Sequence, residues 1–191
     1  MNAYILVGGR SRRMGEPKTE VRFGDTTLLG RVVAAASGAF DRVIAVQRAG
    51  GEAVAVETLF EEPHEDEAPI FGVATAIRHA NAKCFVIAVD YPLLTSDSLR
   101  ELAASFEGSD APMLAPVWNG VSQVLCAGYG PVMLPQLEAR VALRKYDLQS
   151  VAAAAAERVE VSGEIWRSVN TIEELQEVRR WYEQQRLLAF R

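Results

Sequence analysis

Short apolar runs alternate with longer stretches of helical periodicity along this chain, and that alternation is the strongest constraint on what it can fold into. Ala3–Val7, Val43–Val46, Phe85–Val89 and Pro112–Val117 are apolar runs of strand length. Near-continuous apolar runs of this kind belong to strands buried on both faces. Between them, Leu28–Phe40, Ile70–Ala80 and Ser96–Phe106 read as helices, and Leu28, Leu29, Val32 and Val33 fall at helical spacing. Buried strands separated by helices predict an α/β chain with a mostly parallel sheet covered on both faces, in three layers.

The second half is less regular. Val121–Tyr129 reads as a strand and Val132–Val141 as a helix opened by Pro131. Leu148–Ala156, with its alanine run, reads as a helix, and Arg158–Val161 as a further strand. Thr171–Leu188 is the clearest helix: Thr171 can cap it, Glu173 and Glu174 occupy its first turn, and Arg179, Arg180 and Arg186 follow, an order that suits the helix dipole. Its apolar positions Trp181, Tyr182, Leu187 and Leu188 are expected to pack on the core. The segment Gly50–Pro69 reads as an acidic loop, with Glu61, Glu62, Glu65, Asp66 and Glu67 close together. It is either a solvated charge run or a wall of a ligand site.

A chain of 191 residues with 49% apolar content suits one domain of α/β size, residues 1–191. No linker or internal repeat divides it. A net charge of −5 argues against a general nucleic-acid binder, while a local basic cluster can still bind phosphate. Cys84 and Cys126 each lie inside an apolar run and read as buried thiols. His64 and His79 read as surface residues without evident partners, and no Cys/His spacing resembles a zinc site. There is no signal-peptide pattern and no apolar run long enough to span a bilayer, so no membrane association and a cytoplasmic location are expected.

Three segments carry candidate chemistry. The first, Leu6-Val7-Gly8-Gly9-Arg10-Ser11-Arg12-Arg13-Met14-Gly15-Glu16-Pro17-Lys18, follows the first strand, and ligands of open parallel sheets sit beyond the strands' carboxyl ends. Gly8 and Gly9 let backbone N–H groups approach phosphate oxygens, and Arg10, Arg12, Arg13 and Lys18 bring positive charge. The segment is neither a P-loop nor a dinucleotide fingerprint. In the second, Val86-Ile87-Ala88-Val89-Asp90-Tyr91-Pro92, an apolar strand ends on a carboxylate at the same sheet edge. Asp90 there can hold Mg²⁺, which takes oxygen ligands together with substrate phosphates; otherwise it merely ends the strand. The third, Ser168-Val169-Asn170-Thr171-Ile172-Glu173-Glu174-Leu175, is a helix start in which Asn170 either belongs to the cap or reaches into a phosphate or metal site.

Taken together, these segments resemble the molybdenum cofactor guanylyltransferase family. The opening loop is similar to its Leu-Ala-Gly-Gly-x-Ser-x-Arg-Met-Gly-x-x-Lys signature, with Val7 in place of the alanine. Val89-Asp90-Tyr91-Pro92 resembles its Cys-Asp-x-Pro, Pro69-Ile70-Phe71-Gly72 its Gly-Pro-Leu-x-Gly, and Asn170-Thr171-Ile172-Glu173-Glu174-Leu175 its Asn-Thr-Pro-Glu-Asp-Leu. The resemblance implies a Rossmann-like nucleotidyltransferase fold. It also implies transfer of GMP from GTP to molybdopterin with Mg²⁺ and release of pyrophosphate. Carried over by position, Leu6, Gly8 and Gly9 touch base and ribose, Arg13 and Lys18 hold phosphates, Asp90 binds Mg²⁺ and Asn170 lies on the acceptor side. The N-terminal part then binds nucleotide and the C-terminal part the acceptor. Acceptor molybdoenzymes or other cofactor-biosynthesis proteins are the implied partners. The family's base-reading aspartate falls at Glu65 or Asp66, and we take Asp66 as the nucleotide-binding candidate. The chain departs from the pattern at Pro17, Gln47, Ala68 and Ser168. Alternatives are a cytidylyltransferase on the same cofactor, an enzyme with another phosphorylated acceptor such as a sugar phosphate, and a non-catalytic nucleotide-binding homologue. A Rossmann dehydrogenase is disfavoured by the missing fingerprint.

Overall fold

The structure, a computed structural model, describes residues 1–7 and 17–189. The chain opens with β1 (Asn2–Leu6), and after the undescribed loop a small antiparallel hairpin follows, β2 (Arg22–Phe23) and β3 (Thr26–Thr27). Then come α1 (Leu28–Ser37), β4 (Val43–Gln47), β5 (Thr58–Phe60), α2 (Pro69–Ala80), β6 (Cys84–Ala88), α3 (Ser96–Gly108) and β7 (Met113–Trp118). The remainder is β8 (Val121–Ser122), β9 (Cys126–Tyr129), a 3₁₀ turn at Pro131–Met133, α4 (Leu134–Ala142), α5 (Leu148–Ala155), β10 (Ala156–Glu160), a 3₁₀ turn at Glu164–Trp166 and α6 (Ile172–Ala189).

The main sheet runs in the order β10-β7-β9-β6-β1-β4-β5, with β8 paired to β7. β1 is parallel to both β4 and β6, β4 to β5, and β7 to β10, while β9 runs antiparallel between β6 and β7. Alternation along the strands sends side chains to two cores. Ala3 and Ile5 of β1 join Phe85, Ile87, Leu28, Val32, Leu99 and Phe106 on the face covered by α1, α3 and α6. Tyr4 and Leu6 join Val86, Ile44, Ile70, Val73, Leu137 and Val151 on the face covered by α2, α4 and α5. The result is the expected three-layer α/β/α arrangement. Close packing holds the layers together: a Cβ on Gly128 of β9 would meet the Phe106 ring at 2.3 Å, so only glycine lets α3 sit this near the sheet.

Several boundaries differ from expectation, each for a local reason. The segment read as loop between residues 50 and 69 contains β5, too short to show a period. Val121–Tyr129 is not one strand, because Gln123 turns inward and breaks it. Its amide donates to the Val121 carbonyl at 2.8 Å, and its Oε1 accepts from the Tyr91 hydroxyl at 3.0 Å. The helix expected from Val132 starts at Leu134 after the 3₁₀ turn, and α5 passes directly into β10 at Ala156, two residues before the expected strand. Cys84 and Cys126 are buried free thiols, and burial pushes the Cys84 thiol up to about 12. The apolar positions of α6 divide: Trp181 and Tyr182 pack on the core while Leu187 and Leu188 are exposed. No described helix is long and apolar enough to cross a membrane.

Candidate active site

A cavity of about 370 Å³ opens at the carboxyl ends of β1 and β6. The two strands extend in step past their last paired residues, where the Val89 N–H donates to the Leu6 carbonyl at 3.2 Å. Leu6 and Val7 therefore form one wall, and Asp90 stands beside them. Gly8, Gly9 and Arg13 lie outside the described residues.

Lys18 crosses to Asp90. Its entry turn is held by the Pro17 carbonyl, which accepts from Glu20 N–H at 2.9 Å and Val21 N–H at 3.2 Å. Pro17, a departure from the family pattern, lies at this turn and contributes to it through its carbonyl. Lys18 Nζ donates to Asp90 Oδ2 at 3.3 Å, to the Val169 carbonyl at 2.9 Å and to Asn170 Oδ1 at 2.9 Å. An ammonium has three donors, so these acceptors saturate it. Both side chains of the ion pair are enclosed, with 19% of Lys18 and 14% of Asp90 exposed. Burial pushes the Asp90 carboxyl above its ordinary value, the Lys18 charge pulling the other way. Among the described residues Asp90 Oδ1 is buried without a hydrogen-bond partner, which is costly for a carboxylate oxygen unless another group completes it.

In the third motif the Asn170 backbone takes part in the helix cap while its side chain meets Lys18. The Thr171 hydroxyl accepts from Glu174 N–H at 3.2 Å, and Glu174 Oε2 accepts from Thr171 N–H at 3.1 Å and Asn170 N–H at 2.6 Å. That capping box fixes the backbone and leaves the Asn170 side chain for Lys18. The Val169 N–H donates to the Asp90 carbonyl at 2.8 Å, stitching this segment to the end of β6. Lys18, Asp90 and Asn170, distant in sequence, meet in one place.

The opposite side of the cavity is walled by part of the acidic segment, the second of the two readings that the sequence left open. Asp66 does not line it: its carboxylate accepts from the Tyr146 hydroxyl, and an Arg144 nitrogen lies 3.9 Å away. Glu65 is exposed beside Arg144. Glu61, His64 and Glu67 line the cavity instead. The Glu61 N–H donates to the Gln47 carbonyl at 2.8 Å, one step beyond β5, so the unforeseen edge strand places this residue. Its side chain is 9% exposed. A Cβ on Gly72 would lie 2.9 Å from both Glu61 Oε1 and Leu6 Cδ2, so the glycine admits both side chains. Glu67 Oε1 pairs with Arg48 Nη1 at 2.5 Å. Gln47, a second departure, braces the turn after β4 through Glu52 and Arg48. The histidines expected to lack partners both have them. His79 Nδ1 is 2.8 Å from the Tyr4 hydroxyl, and His64 bonds through both nitrogens. The detectable signal was His64 three residues after Glu61, at the end of the short apolar run Thr58-Leu59-Phe60.

The model of the MobA-like NTP transferase domain matches residues 3–185. The chain belongs to this family. It is 30% identical over 193 residues to a probable molybdenum cofactor guanylyltransferase of Thermococcus kodakarensis, covering 92% of each chain. A protein of the same name from Carboxydothermus hydrogenoformans is 29% identical over 146 residues, 76% of this chain and 73% of the relative. The crystal structure of molybdopterin-guanine dinucleotide biosynthesis protein A from Archaeoglobus fulgidus superposes with a TM-score of 0.84 at 23% identity. The match covers 96% of this chain and all of the other, a likeness in fold. As a MobA-like NTP transferase the chain is a nucleotidyltransferase, a class of enzyme that generally works with a divalent metal. Among the described residues no cluster of three or more His, Cys, Asp or Glu side chains could cage one.

Proposed function

We propose that the protein transfers GMP from GTP to molybdopterin, forming molybdopterin guanine dinucleotide and pyrophosphate. The observation that carries this reading is one cavity with a lysine–carboxylate–asparagine cluster on one side and the largely enclosed Glu61 carboxylate on the other. The first suits a triphosphate. The second suits guanine, whose Watson–Crick edge offers adjacent donors at N1 and N2 to a carboxylate. Cytosine offers only its exocyclic amine and would set its acceptors against the same charge. The base-reading role thus moves from Asp66 to Glu61. Leu6 packs beside Glu61 at the base, and Asn170 serves Lys18 on the side from which the acceptor, held by the C-terminal part, approaches.

The donor set fits Mg²⁺. Asp90 offers a hard oxygen with no hydrogen-bond partner among the described residues, and Mg²⁺ is commonly held by one or two carboxylates with phosphates and water completing the shell. When bound, Mg²⁺ would neutralise charge on the phosphates in transfer. The reaction itself is an in-line displacement. A terminal phosphate oxygen of molybdopterin bonds to the α-phosphorus, the α–β bridging bond breaks, and its electron pair leaves with pyrophosphate. The attacking phosphate is already anionic, so no side-chain nucleophile is required. The protein supplies position and charge. Lys18 has no spare donor in the free protein, so incoming phosphates must replace at least one of its three acceptors. Each such charged hydrogen bond contributes about 1.5–3 kcal/mol.

The test is pyrophosphate release from GTP, CTP and ATP with molybdopterin and Mg²⁺. GTP should be used at least about tenfold more efficiently than CTP. A preference for CTP would overturn the base assignment and leave the phosphate cluster standing. No release with any nucleotide, despite GTP binding, would show a non-catalytic homologue.

A further inference from the structure

His64 lines the cavity, yet it has no ring nitrogen left for a ligand. Its Nδ1 faces the Asp66 carbonyl at 2.5 Å, and since a carbonyl only accepts, the Nδ1–H donates. Its Nε2 lies 2.8 Å from Glu61 Oε2. Its face stacks on Phe71, with ring centroids 3.7 Å apart and planes 14° from parallel. Whichever atom carries the proton between Nε2 and Oε2, that carboxylate oxygen is occupied. Glu61 Oε1 takes no hydrogen bond among the described residues and remains an acceptor in the cavity wall.

We propose that His64 is a positioning residue that fixes the Glu61 carboxylate so that its free Oε1 can accept from both N1–H and N2–H₂ of the purine edge, acting through Glu61 and never touching the base. This rests on the reading of Glu61 given above. The physical reason is pre-organisation. Glutamate has several rotatable bonds, and holding it still costs free energy each time a ligand binds. A carboxylate this deeply enclosed also needs a partner for the oxygen the base does not use. His64 supplies that partner and is itself locked. Phe71 holds its face, the Asp66 backbone its far edge, and Tyr146 braces both, its hydroxyl donating to the Asp66 carboxylate and its ring 5.3 Å from that of Phe71. Asp66 therefore serves the base subsite through its carbonyl. This clamp explains how an acid placed by a three-residue edge strand can be held firmly enough to discriminate.

The experiment compares GTP with ITP, which lacks only the N2 amine, in the full chain and its His64→Ala, His64→Gln, Glu61→Ala and His64→Ala/Glu61→Ala variants. Dissociation constants come from titration calorimetry, and kcat and KM from pyrophosphate release. His64→Ala should weaken GTP binding and raise its KM about tenfold with kcat within about twofold, and should shrink the GTP/ITP affinity ratio toward that of Glu61→Ala. His64→Gln, whose amide can still donate to Glu61, should recover most of the ratio. The double variant should be no worse than Glu61→Ala alone, as expected of two residues acting as one unit. If His64→Ala keeps the parent ratio while Glu61→Ala loses it, the positioning role is wrong and the base reading survives. If Glu61→Ala itself keeps the parent ratio, the base reading fails. If His64→Ala weakens GTP and ITP equally, or lowers kcat as much as affinity, His64 only supports the fold. Should His64→Ala not fold, His64→Gln and Phe71→Leu carry the same comparison.

Discussion

The two sides of the cavity are built by different means. The phosphate side draws single residues from distant places: Lys18 after the first strand, Asp90 after β6, Asn170 before α6. Asp90 and Asn170 stand next to the ends of elements, and Lys18 in a turn held by the Pro17 carbonyl. The base side draws Glu61 and His64 from one turn of chain and holds them by stacking and an edge-strand bond. The proposed phosphate side therefore depends on the global frame, and the proposed base side on a local clamp. Mutations should separate chemistry from selectivity along the same line.

The largest expected effect is at Asp90. Asp90→Asn should lower turnover by about 10²–10³ without destabilising the fold. Because burial raises the carboxyl's pKa, the folded protein holds that proton more tightly than the unfolded chain. The ionised form therefore costs stability as pH rises through and above the carboxylate range. Thermal melts should show Asp90→Asn at least as stable as the parent at neutral pH, the two converging in acid. Unchanged turnover in this variant would break the assignment of the phosphate side. Glu61→Gln comes next: it should reduce GTP-over-CTP selectivity by about 10–100-fold, the worth of about 1–3 kcal/mol per paired base edge, with kcat little changed. A kcat loss like that of Asp90→Asn would erase the division between the two sides. Thr171→Ala tests the frame, since a lost helix cap costs about 1 kcal/mol, a fall in Tm of about 2–4 °C for a chain this size. KM for GTP should rise modestly as Asn170 loosens from Lys18, and a selectivity change would contradict the model of separate supports. Asp66→Asn should have the smallest effect, under about twofold in either KM or selectivity, because its carboxylate faces Tyr146. A large loss of selectivity would return base reading to residue 66.

The same contrast explains what could be read from the sequence. Buried parallel strands announce themselves by continuous apolar runs, and the end of such a strand is where a ligand-binding residue must stand. Asp90, Lys18 and Asn170 could be singled out because each lies in a motif beside a recognisable strand or helix end, although the pattern alone left the roles of Asp90 and Asn170 open. Glu61 was not, since it shares seven residues of chain with four other acids. Which of them faces inward follows from the pairing of β5 with β4, a contact between segments that local pattern does not encode. β5 itself is too short to show alternation. The break at Gln123 was hidden likewise, because its reason is the Tyr91 hydroxyl more than thirty residues away.

The bond from the Val169 N–H to the Asp90 carbonyl also bears on how the enzyme is made. A ribosome delivers the chain from its N-terminus at about 5–20 residues per second. β1, β4 and β6 can assemble early, and Asp90 is then in place while the backbone that will hold Lys18 has yet to emerge. For several seconds the nascent chain carries the carboxylate and the lysine but no Val169 carbonyl or Asn170 to bring them into register. Nucleotide capture should therefore begin abruptly, once residue 170 has cleared the exit tunnel.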